Sequence, residues 1–77
     1  VEKMIVTLAR GLVEHPDRVK VEREEDEGTV HLALVVDPED LGQVIGRGGR
    51  NARALRVLLR AASRAQGTRA SLEIVDD

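Results

Sequence analysis

The sequence contains no cysteine, phenylalanine, tyrosine or tryptophan. Without cysteine there can be no disulfide, no thiolate nucleophile and none of the usual structural zinc sites, which fits a reducing compartment and makes the cytoplasm the expected location. Without aromatics the core must be built from Val, Leu, Ile, Ala and a single Met. The same absence removes the stacking platforms of RNP-type sheets and most OB-folds, so any nucleic acid would have its bases held against aliphatic groups. No apolar run approaches the roughly 20 residues that span a bilayer, and the N-terminal stretch lacks the basic, apolar and small-residue order of a signal peptide. The first residue is Val1 rather than methionine, which leaves open whether other residues precede it.

At 77 residues the chain is the size of one small domain, expected over residues 1–77. Its formal charge of -2 argues at first against a polyanionic partner, but the charge is unevenly placed. Glu22, Glu24, Glu25, Asp26 and Glu27 cluster together, whereas Gln43 to Leu72 holds no acidic residue and seven arginines: Arg47, Arg50, Arg53, Arg56, Arg60, Arg64 and Arg69. Arg60 and Arg64 can equally be the solvated face of a helix.

Val1, Ile5, Leu8 and Leu12, flanked by Met4 and Ala9, recur at helical spacing and predict a helix from residue 1 to about residue 14, ended by His15-Pro16. Val6 and Val13 widen its apolar stripe enough for it either to cover a sheet or to offer a second contact such as a dimer interface. "RVKVER" and "TVHLALVV" read as two strands, the second with Val30, Leu32, Leu34 and Val36 on one face. The intervening acidic "EEDEG" reads as a solvated hairpin connection. "PEDLGQVI" predicts a short helix, with Pro38 near its first turn and Glu39 and Asp40 at its positive end. "RNARALRVLLRAASRAQ" predicts another, with Ala52, Leu55, Leu58, Leu59 and Ala62 on one side, the arginines on the other and Gly67 as its stop. "RASLEIV" gives a third strand with Ala70, Leu72 and Ile74 inward. The order α-β-β-α-α-β implies an α+β domain whose three-stranded mixed sheet carries its helices on one face.

The stretch "LGQVIGRGGRNARALR", Leu41 to Arg56, packs four glycines and four arginines into sixteen residues. A P-loop would need Gly-Lys-Ser/Thr after a strand, and Gly-x-Gly-x-x-Gly fails because its sixth position is Asn51. What remains is Gly-x-x-Gly between two helices. Lacking Cβ, Gly46 and Gly49 let a sugar-phosphate backbone come close, and the amides of Gly48, Gly49 and Arg50 open a helix at its positive end. Arg47 and Arg50 can add charge-assisted contacts, and Arg53 is the next arginine along.

"LGQVIGRGGRNARAL" resembles the hallmark of K-homology (KH) domains, a Val-Ile-Gly-x-x-Gly core preceded by aliphatics and followed by a helix. The element order resembles the type II form of that fold. The opening helix, the "HPD" turn, the "DPEDLGQVIGRGGRNARALR" block and the closing "SLEIVD" extend the likeness nearly end to end. The resemblance implies that a single RNA strand of about four nucleotides lies across the turn with its bases in an aliphatic groove. Gly46, Arg47, Gly48 and Gly49 would hold its backbone, and Leu41, Val44 and Ile45 would line or support the groove. Gly48 stands where a basic residue is usual, so the loop should be more flexible and carry one charge fewer. The resemblance further implies an RNA chaperone or post-transcriptional regulator of low sequence specificity, pairing with itself or with another KH-domain protein. The alternative is a protein-interaction or dimerisation domain with a degenerate KH surface. An enzyme is not expected: Ser63 and Ser71 are the only serines, His15 and His31 are unlinked in sequence, and no paired carboxylates accompany them. No cofactor or metal is expected.

Overall fold

The computed structural model describes residues 1–77. Six elements follow in the order α1 (Glu2–Arg10), β1 (Lys20–Asp26), β2 (Thr29–Val36), α2 (Leu41–Ile45), α3 (Arg50–Ala65) and β3 (Arg69–Asp76), with short 3-10 turns at Pro16–Arg18, Pro38–Asp40 and Arg47–Gly49. β1 and β2 are antiparallel, from Lys20↔Val35 to Asp26↔Thr29, and β2 and β3 are parallel, from Thr29↔Arg69 to Val36↔Asp76. The sheet order is β1-β2-β3. The parallel pair follows from the length of the connection, because α2 and α3 carry the chain back over the sheet before β3 begins.

The alternation of β2 sets the core. Val30, Leu32, Leu34 and Val36 point to the face covered by the helices and are all buried, together with Ile5 and Ala9 of α1, Val44 of α2, Leu55 and Leu59 of α3 and Leu72 of β3. The other face carries the exposed Glu22, Glu24, His31, Ser71 and Glu73, and there His31 Nδ1 meets Ser71 Oγ at 2.7 Å.

Three features differ from the sequence reading. α1 stops at Arg10, four residues short, and Leu12 N donates to Ala9 O at 2.9 Å in a tighter turn. The cause is a competitor from across the molecule. The Asp40 carboxylate, only 1% exposed, accepts from Glu14 N at 3.1 Å and from His15 N at 3.0 Å, and this draws the segment off the helix axis. Asp40 was expected to act only on a helix dipole, and Asp37 is the residue that caps, accepting from Glu39 N at 2.9 Å. Second, Glu24, Glu25 and Asp26 lie in β1 rather than in the connection, which is a two-residue turn at Glu27 and Gly28 with φ of 49° and 81°. Such a turn matches the twist of the flanking strands and lets the ladder run to the tip, where the carboxylates stay hydrated. Third, Leu58 of α3 is 45% exposed, although placed on the inward side, and Ser63 takes an inward position instead. The buried arc is Ala52, Leu55, Leu59 and Ser63. Leu58 lies about 100° round the helix from Leu59, at the margin of that arc.

Candidate nucleic-acid interface

α2 ends when Gly46 N donates to Gly42 O at 2.9 Å, and Gly46 then leaves the helix at φ 79°, ψ 168°. That backbone region is strained for any residue with a side chain and is occupied almost only by glycine. A second constraint acts at the same place: a Cβ on Gly46 would sit 2.9 Å from both the backbone N and Cγ of Asn51. Asn51 is held there because its Nδ2 donates to Gln43 O at 2.9 Å, tying the first turn of α3 to the last turn of α2. The missing Cβ of Gly46 is therefore used by the protein itself, to bring the two helices together. Asn51 is the residue of the turn that sequence reasoning passed over. Its only local signal was an amide side chain in a helix's first turn, and the partner carbonyl is eight residues away.

Gly48 is different. It has φ 63°, ψ 19°, and a Cβ built on it would have no heavy atom within 4 Å. The backbone is thus bare to solvent at Gly48, at the crest of the turn. Gly49 N donates to Gly46 O at 3.0 Å and Arg50 N to Arg47 O, so two of the three amides expected to face a phosphate serve the turn's own hydrogen bonds. The electropositive character of the turn must come mainly from side chains.

Those side chains are free. The five ion pairs of the molecule use His15, Arg18 and Arg23, and none of the seven arginines from Arg47 to Arg69 pairs with a carboxylate. Arg47, Arg50 and Arg53 are exposed, and Arg53 Nη1 is 3.6 Å from where a Gly49 Cβ would lie. Arg56 is half-buried and donates from Nε to Leu72 O at 3.2 Å, bridging α3 to the edge strand β3. Beyond it a shallow groove between α3 and β3 is lined by Arg56, Leu59, Arg60, Ala70, Ser71 and Leu72.

The aliphatic trio divides. Val44 is fully buried and belongs to the core beneath the turn, Leu41 is half-buried, and Ile45 is 36% exposed beside Gly46. Only Ile45 and part of Leu41 can meet a base directly.

The trio of metal-type donors that comes closest together is His15, Asp37 and Glu39, whose ligand atoms lie within 4.8 Å of one another. Protein groups already engage them: His15 Nε2 meets Glu39 Oε1 at 3.1 Å, and Arg18 approaches Asp37 at 3.8 Å. Burial opposes the charge on His15, but Asp37, Asp40 and Glu39 outweigh it and raise its pKa above the ordinary value. His15, which looked isolated in sequence, is thus one of an ion cluster joining the turn after α1 to the entry of α2.

A Gly-x-x-Gly turn between two helices, packed with a third helix on a three-stranded sheet of order β1-β2-β3, defines a KH domain of the type II form. The likeness to solved structures shows the same fold: GDP·AlF4⁻-bound Era from Aquifex aeolicus matches 97% of this chain with a TM-score of 0.61 at 22% identity. Era in complex with MgGDPNP and nucleotides 1506–1542 of 16S ribosomal RNA matches with the same score at 21% identity. In each the chain spans 29% of the larger protein. The profile of the KhpA/KhpB KH domain matches residues 2–74. The RNA-binding protein KhpA of Aquifex aeolicus is 51% identical over 75 residues, covering 96% of this chain and 95% of its own. That of Treponema pallidum is 49% identical over 75 residues, covering 97% and 94%. The chain belongs to the KhpA/KhpB KH-domain family.

Proposed function

We propose that this protein binds single-stranded RNA, with about four nucleotides lying across Gly46–Gly49. The observation that carries the reading is the conjunction at the turn: bare backbone at Gly48 beside guanidiniums that no carboxylate neutralises. A phosphate can approach the main chain at Gly48 without meeting a side chain, while Arg47, Arg50 and Arg53 offer donor forks suited to phosphate oxygens. Bases would turn toward Ile45 and the exposed part of Leu41 and on into the groove beside Arg56. Aliphatic contact reads shape weakly and hydrogen-bonds nothing, so sequence specificity is low, as suits an RNA chaperone or post-transcriptional regulator in the cytoplasm. The names of the relatives, RNA-binding protein KhpA, support the same assignment, and the functional unit is the single KH domain over residues 1–77. It acts as a binding module rather than an enzyme.

The test is binding of short fluorescent RNAs at several salt concentrations, comparing the wild type with Arg47→Asp plus Gly48→Asp. Asp enters the left-handed region at Gly48 at a cost of about 1 kcal/mol, so the variant is expected to fold. Its two carboxylates face the phosphates and should abolish binding. Failure of the wild type to bind at low salt, or equal binding by both proteins, would sink the RNA reading for this surface.

Pairing with a second KH domain, from the same or another chain, is the companion reading. On α1, Ile5 and Ala9 are consumed by the core and Leu8 stays 36% exposed. The larger exposed apolar surface is the outer side of α3, where Val57 and Leu58 are 58% and 45% exposed between Ala54 and Ala61. Val57 and Ala61 line one shallow surface with Arg60 and Arg64, so a partner seated here would lie beside the arginines of α3.

A further inference from the structure

At the far end of α3 from the Gly-x-x-Gly turn, the last turn of the helix and the start of β3 enclose a cleft of about 480 Å³ lined by Arg60, Ser63, Arg64, Thr68 and Arg69 among others. It adjoins the groove beside Arg56, sharing Arg60 and Ala70 with it. Three guanidiniums border this cleft, and none has a carboxylate partner.

Ser63, one of the residues lining it, is 1% exposed, and its Oγ is the molecule's one buried side-chain oxygen or nitrogen without a hydrogen-bond partner. A buried hydroxyl left unpaired is unfavourable, and Ser63 lies in the wall of the cleft, where a group from outside the chain could supply the missing partner. The negative end of the helix opposes an anion here, but it is partly covered. Ser63 O accepts from Gln66 N at 3.0 Å, Thr68 N at 2.9 Å and Thr68 Oγ1 at 3.2 Å, and Arg64 O accepts from Gly67 N at 3.0 Å. What remains is a cationic recess with one unpaired hydroxyl donor and a single apolar lining residue. Planar guanidinium forks and a hydroxyl are the donor set that phosphate oxygens take.

We propose that Arg60, Arg64 and Arg69 around Ser63 form a second phosphate site, which holds backbone phosphodiesters of an RNA strand extending beyond the nucleotides on the turn. It rests on the proposed RNA binding at Gly46–Gly49. Thirteen residues of helix separate Arg50 from Ser63, about 20 Å at 1.5 Å per residue, and Arg53, Arg56 and Arg60 mark the way between. The arginines of α3 are then one track with two anchors rather than a solvated helix back.

The test uses the full chain and hydroxyl-ended RNAs of about four and about ten nucleotides, in fluorescence anisotropy over a salt series. Arg64→Gln plus Arg69→Gln should weaken binding of the longer RNA about fivefold or more, leave the shorter RNA unchanged, and reduce the longer RNA's salt slope by about 1.4, near 0.7 for each phosphate no longer neutralised. Ser63→Ala should weaken the longer RNA several-fold and spare the shorter. Lys3→Gln plus Arg10→Gln, which removes the same charge from α1, should change neither. Equal losses at both lengths, no loss, an equal loss in the α1 control, or an unchanged Ser63→Ala would each overturn the second site. So would a short RNA that recovers the whole gain from a terminal phosphate alone, since that places a chain end in the cleft instead of an extended strand. A folded wild type that binds neither RNA refutes the turn reading itself, whereas binding through the turn with no contribution from the cleft refutes only the extension.

Discussion

Gly46 and Gly48 look alike in sequence, but the structure predicts that replacing them by alanine has different consequences. At Gly46, alanine must enter a backbone region that costs about 1–3 kcal/mol. Its Cβ must also displace Asn51, and one of the atoms met at 2.9 Å is backbone N, which cannot swing aside. Parting the helices stretches the bond from Asn51 Nδ2 to Gln43 O, and overpacking of this kind costs a further 1–3 kcal/mol, roughly. A total of about 2–6 kcal/mol is large beside the about 4–12 kcal/mol expected for a domain of this length. A loss of about 3 kcal/mol corresponds to a fall of roughly 12–24 °C in Tm. At Gly48 the left-handed conformation costs about 1 kcal/mol and no atom is displaced, so Tm should fall by only about 4–8 °C. Thermal unfolding followed by circular dichroism at one pH and salt concentration compares the two directly, and the RNA affinity of the still-folded Gly48→Ala reports on access to the turn. If Gly46→Ala proves no less stable than Gly48→Ala, the division of the turn into a packing glycine and a ligand-facing glycine is wrong.

Asp40→Ala removes the acceptor of two main-chain N–H groups and should lower stability by about 2–3 kcal/mol, with Asp40→Asn intermediate; denaturant unfolding checks both. For His15 the raised pKa means that the fold favours the protonated ring. The stabilisation is therefore fully present below the ordinary histidine value and is lost as pH rises through the higher folded value, so Tm should fall more between about pH 6 and pH 8 in the wild type than in His15→Gln. A pairing contact on the outer side of α3 predicts that Leu58→Glu shifts any dimer to monomer in analytical ultracentrifugation while leaving Tm nearly unchanged at dilute concentration. A dimer that persists in Leu58→Glu would place the contact elsewhere.

What could be read without the structure was whatever depended on local periodicity. Val30, Leu32, Leu34 and Val36 alternate so regularly that the core face of β2 follows at once, and the glycine turn between two amphipathic stretches leads to the KH order. What escaped depended on partners distant in sequence. Nothing near Asp40 says that it will accept hydrogen bonds from Glu14 and His15, and so the early end of α1 could not be seen. The tight turn at Glu27 and Gly28 was hidden by acidic residues that look like loop but tolerate an exposed strand. On α3 the choice between Leu58 and Ser63 for the buried arc was made by the direction of packing against the sheet, which helical periodicity alone cannot supply. In the candidate site, Arg47, Gly48 and Arg50 could be singled out from sequence. The division of labour between Gly46 and Gly48, the core placement of Val44 and the tie made by Asn51 are products of packing.

The central claim is that RNA lies across Gly46–Gly49. Titrating ¹⁵N-labelled protein with a short single-stranded RNA, and following the amide resonances, tests it most directly. The account predicts that the largest shifts fall on Ile45 to Arg50 and extend to Arg53 and Arg56, with the open sheet face around His31 and Glu73 unmoved. Shifts that spare the turn and gather on another surface would contradict it.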